Sequence, residues 1–125
     1  MKIQNYILGN WEDGEGVELE LHNAITGETF GSVSSAGLDY AAILEYGREK
    51  GGYALCKMTF QERGLMLKAL ALHLMEIKNK FYALSAVTGA TKVDSWIDIE
   101  GGIGNLFANA SLRRQFPDLP YYVDG

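Results

Sequence analysis

A chain of 125 residues, 47% apolar and 22% charged, is long enough for one modest core and lacks the composition of a disordered segment. Its 11 Lys and Arg against 16 Asp and Glu leave a net charge of −5, and its longest basic cluster is Arg113-Arg114. That argues against nucleic acid, because a phosphate backbone demands clustered cations. The single cysteine, Cys56, excludes an intramolecular disulfide and fits a reducing compartment. No secretion signal and no apolar run of about 20 residues stands in the sequence. The expectation is a soluble, cytoplasmic protein with neither nucleic acid nor membrane as partner.

Taken in order, residues 2–8 alternate loosely around Ile3, Tyr6 and Ile7 and read as a first strand. Gly9-Asn10 turns into Trp11, and Asp13-Gly14-Glu15-Gly16 reads as a loop. Val17, Leu19 and Leu21 alternate with Glu18 and Glu20, the pattern of a half-buried strand. Thr26-Gly27-Glu28 is a turn, and Thr29 to Val33 is a third strand. Leu38 to Arg48 reads as a short helix stopped by Gly51-Gly52, with Tyr53 to Met58 as a link.

The longest helical pattern runs from Thr59 to Gly89. Thr59-Phe60-Gln61-Glu62 is a capping box, in which the hydroxyl and the carboxylate each satisfy a free backbone N–H. Gly89 can take the left-handed conformation that ends a helix. Arg63, Leu67, Leu70, Leu74, Ile77 and Phe81 recur at three- and four-residue steps, which predicts one apolar face. Leu65, Leu72 and Met75 add apolar bulk off that stripe, and Asn79 offers a cap at which the rod can break into two helices. Ala90 to Val93 connect to a further helix, capped by Asp94 or Ser95 and running to Leu112. Gly101, Gly102 and Gly104 weaken it by about 1 kcal/mol each, which calls for close backbone packing or room for a ligand. Pro117 and Pro120 end the helix, and Tyr121-Tyr122-Val123 starts an extended segment. The fold class is α+β, mainly helical: three short N-terminal strands followed by three or four α-helices. Residues 1–33 hold the strands, 34–116 the helices, and 117–125 the start of the extended segment.

Chemistry is sparse. Cys56 as a nucleophile needs a base, and His22 and His73 share no local signature with it, so a structural or incidental cysteine is the reading. Two scattered histidines do not make a metal site. Asp94 and Asp98 are four apart and share a helix face with Glu100 close by, which admits an acid/base pair. The plainer account is negative charge at a helix N-terminus. Gly101-Gly102-Ile103-Gly104 does not follow a strand and open a helix, as a dinucleotide fingerprint requires. Close helix packing is its default explanation, and a glycine-lined channel wall the sharper one.

Several stretches resemble the N-terminal part of the aldehyde dehydrogenase superfamily: YILGNW at 6–11, NAITGETFGSV at 23–33, LDYAAILEYGRE, and the long helix ending at Thr88-Gly89. SAVTGATKVDSWIDIEGGIGNLFANASL and the closing YYVDG are similar to one subgroup, the bifunctional ring-opening aldehyde dehydrogenases of phenylacetate degradation. The resemblance covers essentially the whole chain and implies residues 1–125 as a single, incomplete dehydrogenase domain. It implies NAD(P)-dependent oxidation of a CoA-linked semialdehyde by a catalytic cysteine and a water-activating glutamate. Those residues and the cofactor-binding strands lie beyond Gly125 in the resemblance. No catalytic and no cofactor-binding residue therefore carries over to this chain, Cys56 included, and the chain alone is expected to be inactive. The resemblance further implies that the helix from Asp94 to Leu112 lines an aldehyde tunnel. Ile97 and Gly101 would face it, with Trp96 and Gly102 adjacent. The expected partners are the remainder of the dehydrogenase domain and, through the exposed apolar helix face, a second copy. The alternative is a stand-alone, non-catalytic helical module that binds a partner through Leu67, Leu70 and Leu74.

Overall fold

A computed structural model describes residues 1–124. The chain divides into two compact units, Met1–Tyr53 and the residues from Ala54 onward. Strands at the N-terminus precede a mainly helical remainder, the α+β arrangement expected.

In the first unit, β1 (Lys2–Ile3), β5 (Thr29–Val33) and β4 (Leu19–His22) lie side by side in that order. β1 runs parallel to β5, with Lys2 opposite Ser32, and β4 runs antiparallel to it, with Leu19 opposite Val33. The expected first strand is split at Gln4, because β2 (Asn5–Ile7) leaves β5 and pairs with β3 (Asn10–Glu12). Leu8 and Gly9 both have positive φ, 51° and 87°, so the two-residue turn has the twist that joins antiparallel strands. Trp11 is thus a strand residue opposite Tyr6, their rings 5.0 Å apart. The β4–β5 turn is built as its Thr-Gly-Glu suggests: the Asn23 side chain accepts from the Ile25 and Thr26 amides, and Gly27 has φ 74°.

Helix α1 (Tyr40–Tyr46) starts at Asp39, whose carboxylate accepts from the Ala42 amide. It does not stop at Gly51-Gly52. A π-helical segment, Gly47–Gly52, carries the helical backbone into α2 (Tyr53–Lys57), which occupies the expected link. Gly47, Gly51 and Gly52 lower helix propensity, but none adopts the left-handed conformation that terminates a helix.

The second unit is dominated by α3 (Phe60–Val87) and α4 (Lys92–Ser111). The Thr59–Glu62 capping box forms as expected: Thr59 Oγ1 accepts from the Glu62 amide at 3.2 Å, and the Thr59 amide donates to Glu62 Oε2 at 2.8 Å. The 28 residues of α3 form one helix, about 42 Å long at the usual rise, with Asn79 exposed in its interior and no break there. Neighbouring Lys78 and Tyr82 are bonded to α4, so the rod is held through the point where a bend was expected. The cap of α4 is Thr91 rather than Asp94 or Ser95. Thr91 and Asp94 form a second capping box, so the helix begins earlier than expected. A single 3-10 turn, Leu112–Gln115, follows, and residues 121–124 have no regular secondary structure.

The two helices meet through small residues. Gly64 and Ala71 of α3 and Ser95, Ile103 and Ala110 of α4 are the buried positions. A Cβ on Gly64 would stand 2.7 Å from Arg113 Cβ and 2.9 Å from the Ala110 carbonyl oxygen, so only glycine permits this approach. The contact line is therefore turned from the stripe that spacing alone picks out. Leu67, Leu74, Ile77 and Phe81 flank it half-buried, while Leu70 is exposed. Arg63, counted in that stripe, lies with its guanidinium over the Phe60 ring and donates to the Leu55 and Pro120 carbonyls. Gln61 donates to the Arg113 and Phe116 carbonyls, and Phe60 stacks on Phe116 at 4.6 Å. These bonds fasten the segment after α4 to the start of α3. Cβ atoms added at Gly101, Gly102 or Gly104 would meet nothing within 4 Å, so helix packing within the described residues is not what those glycines serve.

Substituting alanine at the two kinds of glycine should have opposite effects on urea unfolding of the chain. Gly64→Ala should destabilise it by about 1–3 kcal/mol through overpacking. Gly104→Ala should stabilise it by roughly 0.5–1 kcal/mol by removing backbone freedom from the unfolded state. Equal shifts would contradict the packing described.

Candidate functional site

A cleft of about 750 Å³ opens along α3 and α4 in the second unit. Its apolar walls are Ala86, Ala90, Val93 and Trp96, and its polar end is Lys78, Tyr82 and Glu100. The size and the mostly apolar lining with a few convergent polar groups are those of a ligand-binding depression. Lys78 Nζ donates to Glu100 Oε1 at 2.9 Å, and the Tyr82 hydroxyl donates to the same oxygen at 2.8 Å. All three side chains are half-buried. The Lys78 and Tyr82 hydrogen bonds hold the Glu100 carboxyl below the usual carboxylate range. Burial, then the bond to Glu100, pushes the Tyr82 phenol up. Ser95 adds a further bond between the helices, donating to Ser85 Oγ at 2.8 Å.

The residues expected to line a tunnel are distributed around α4. Trp96 lines the cleft and is 56% exposed. Ile97, 55% exposed, and Gly101 are one helical turn apart on the side away from Ser95 and Ile103, the buried line. Gly102 is exposed but falls within about 20° of Ser95 around the helix, given about 100° of rotation per residue. Ile97 and Gly101 therefore share a face, while Trp96 and Gly102 lie nearer the buried line, each about 120° around the helix from the middle of that face.

The carboxylates do not form an acid/base pair. Asp94 is engaged at its own helix cap, where the Thr91 hydroxyl and amide keep its pKa below the ordinary value. Asp98 is exposed, and Glu100 turns to Lys78 and Tyr82. Cys56 is exposed, His73 is exposed on α3, and His22 pairs with Thr29 on the neighbouring strand. Among the described residues, no group of three or more His, Cys, Asp and Glu is placed to hold a metal ion. No helix among them is long and apolar enough to cross a membrane. The Lys78–Glu100 contact joins residues 22 apart in sequence, and no local motif announces it. The opposite charges and the phenol one turn from Lys78 were visible, but their pairing depends on how α4 docks.

No family model matches the chain. The chain is 38% identical over 104 residues, 82% of its length, to a 3,4-dehydroadipyl-CoA semialdehyde dehydrogenase of Aromatoleum evansii. It spans 20% of the length of that protein. The resemblance to the aldehyde dehydrogenases read from the motifs is therefore present across most of the chain.

The Glu100 bonds carry a definite pH dependence. A carboxyl whose folded pKa is lowered contributes stability that is complete above its unfolded pKa and is lost as pH falls through the folded one. The difference in thermal midpoint between the native chain and Glu100→Gln should be largest near neutrality and shrink on the acid side. Taking the difference removes Asp94 and Glu18, whose carboxyls are also held low. A difference that stays constant through the acid limb would show that Glu100 makes no such contribution.

Proposed function

We propose that this chain is the N-terminal segment of an NAD(P)-dependent aldehyde dehydrogenase of phenylacetate degradation, which oxidises a CoA-linked semialdehyde to the acid. The observation that carries this reading is the 38% identity along 82% of the chain to a dehydrogenase of which it spans one fifth. The thin core supports it. Ala71, Ile103 and Ala110 are the buried hydrophobic residues, while Leu65, Met66, Leu70, Leu72, Leu84 and Trp96 are exposed. The remainder of the dehydrogenase domain would cover that surface and would supply the catalytic cysteine, the glutamate and the dinucleotide site. The Gly101–Gly104 run does not fit a dinucleotide, because it lies inside α4, where its amides belong to the helix, and not at a strand-to-helix turn.

In this reading, the exposed face of Ile97 and Gly101 forms part of the aldehyde entrance, and the absent side chain at Gly101 leaves room for a bulky thioester. An immunoblot of source-cell extract against this chain should show a band several times larger than 13.8 kDa. A band at 13.8 kDa would refute the segment reading and favour a stand-alone module with a binding partner. In the complete enzyme, Gly101→Met should lower kcat/KM for CoA-linked aldehydes roughly tenfold or more relative to small ones. Unchanged values for both would remove Gly101 from the entrance.

A further inference from the structure

Besides the buried Ala71 and Ile103, three places hold α4 against α3. Ser95 bonds Ser85 near the start of α4, and Ala110 lies against Gly64 near its end. Between them stands Glu100, the α4 residue of the Lys78–Glu100 ion pair. Glu100 sits at a weak point, because Gly101, Gly102 and Gly104 follow it and interior glycines loosen a helix. At none of the three would a Cβ meet a neighbour within 4 Å, so Ile103, buried between Gly102 and Gly104, is the packed side chain of this run and the glycines themselves set no limit on the twist of the backbone.

The bond geometry at Glu100 adds a directional limit to the one Ile103 sets by packing. Lys78 and Tyr82 are one turn apart on α3, and both donate to the same oxygen, Oε1, at 2.9 and 2.8 Å. Two donors from a rigid helix converging on one acceptor leave the carboxylate little freedom to slide or swing. An apolar contact of similar size would tolerate several rotations of α4, whereas a half-buried charge pair is satisfied in only one register. Glu100 precedes Gly101 and lies three residues from Ile97, so any rotation it permits moves that face directly.

We infer that Glu100, Lys78 and Tyr82 are positioning residues that set the rotation of α4, and through it the size of aldehyde admitted past Ile97 and Gly101. The rotation follows from the geometry alone, while the aldehyde rests on the dehydrogenase reading above. The three side chains line the cleft beside Trp96, on a different side of α4 from Ile97 and Gly101. Their effect passes through the backbone of α4.

The test uses the complete dehydrogenase carrying this segment, with the double variant Lys78→Met/Tyr82→Phe and, separately, Lys78→Arg. Kinetics are measured with one small aliphatic aldehyde and one CoA-thioester aldehyde. The double variant should change the ratio of the two kcat/KM values about tenfold or more, mainly through KM for the thioester, since small misplacements away from the chemistry have effects of this order. Lys78→Arg keeps the charge and the Tyr82 bond and should leave the ratio within about threefold of the native value. An active double variant with an unchanged ratio overturns the inference, even if its melting temperature falls. Should the native protein oxidise no aldehyde, the dehydrogenase reading fails instead, and the positioning role is decided on the 125-residue chain by its NMR spectrum. Shifted amides at Ile97, Gly101 and Gly104 in the same double variant uphold the positioning role, and unshifted ones overturn it.

Discussion

The second unit depends on how closely α3 and α4 can approach, and Gly64 sets that distance at one end. With a hydrogen in place of a side chain, the α3 backbone comes against the Ala110 carbonyl and the Arg113 stem. Ala71, Ser95 and Ala110 continue the narrow seam, with Ile103 the large side chain buried in it and the others displaced to its edges. Close contact along such a seam supplies dispersion from backbone and small side chains in place of interlocking leucines. It also explains how a pair of helices this long holds together around so few buried hydrophobic residues.

A seam of small residues fixes distance better than it fixes register, since small surfaces slide past one another easily. The polar contacts complement it. Ser85 to Ser95, Lys78 and Tyr82 to Glu100, and Gln61 to the Arg113 and Phe116 carbonyls mark three levels along α3. Each is directional, and each joins residues that only one alignment of the helices brings together. Packing sets how near the helices lie, and the hydrogen bonds set where along their length they meet.

What the sequence revealed follows from the range of each interaction. Capping boxes act over three residues, so Thr59–Glu62 was legible in advance. Thr91–Asp94 follows the same logic, with Asp where Glu or Gln is more usual, so its signal is weaker. The Asn23–Glu28 turn is equally local. The turn before Trp11 was legible from Gly9-Asn10 but is seated one residue earlier, because Leu8, a leucine with positive φ, carries no turn signal of its own. The apolar stripe misled for a different reason. Periodicity weights large side chains, whereas the interface selected Gly64 and Ala71, whose advantage is their lack of bulk. The Lys78–Tyr82–Glu100 cluster was beyond local reading altogether, since it arises only from the antiparallel docking of two helices.

The same geometry bears on what surrounds these helices. Met66, Leu70 and Leu84 are exposed and fall within about 40° of one another around α3, a direction away from the Gly64–Ala71 seam. On α4, Ile97 is likewise exposed on the side opposite its buried line. Each helix therefore has one apolar side satisfied by its neighbour and a second that is not. Scattered apolar residues are common on protein surfaces, but aligned ones on α3 are the pattern of a helix with room for a second packing neighbour. A helical layer of this kind gains most of its burial from what packs outside it. That accords with a likeness to a dehydrogenase of which the chain spans one fifth.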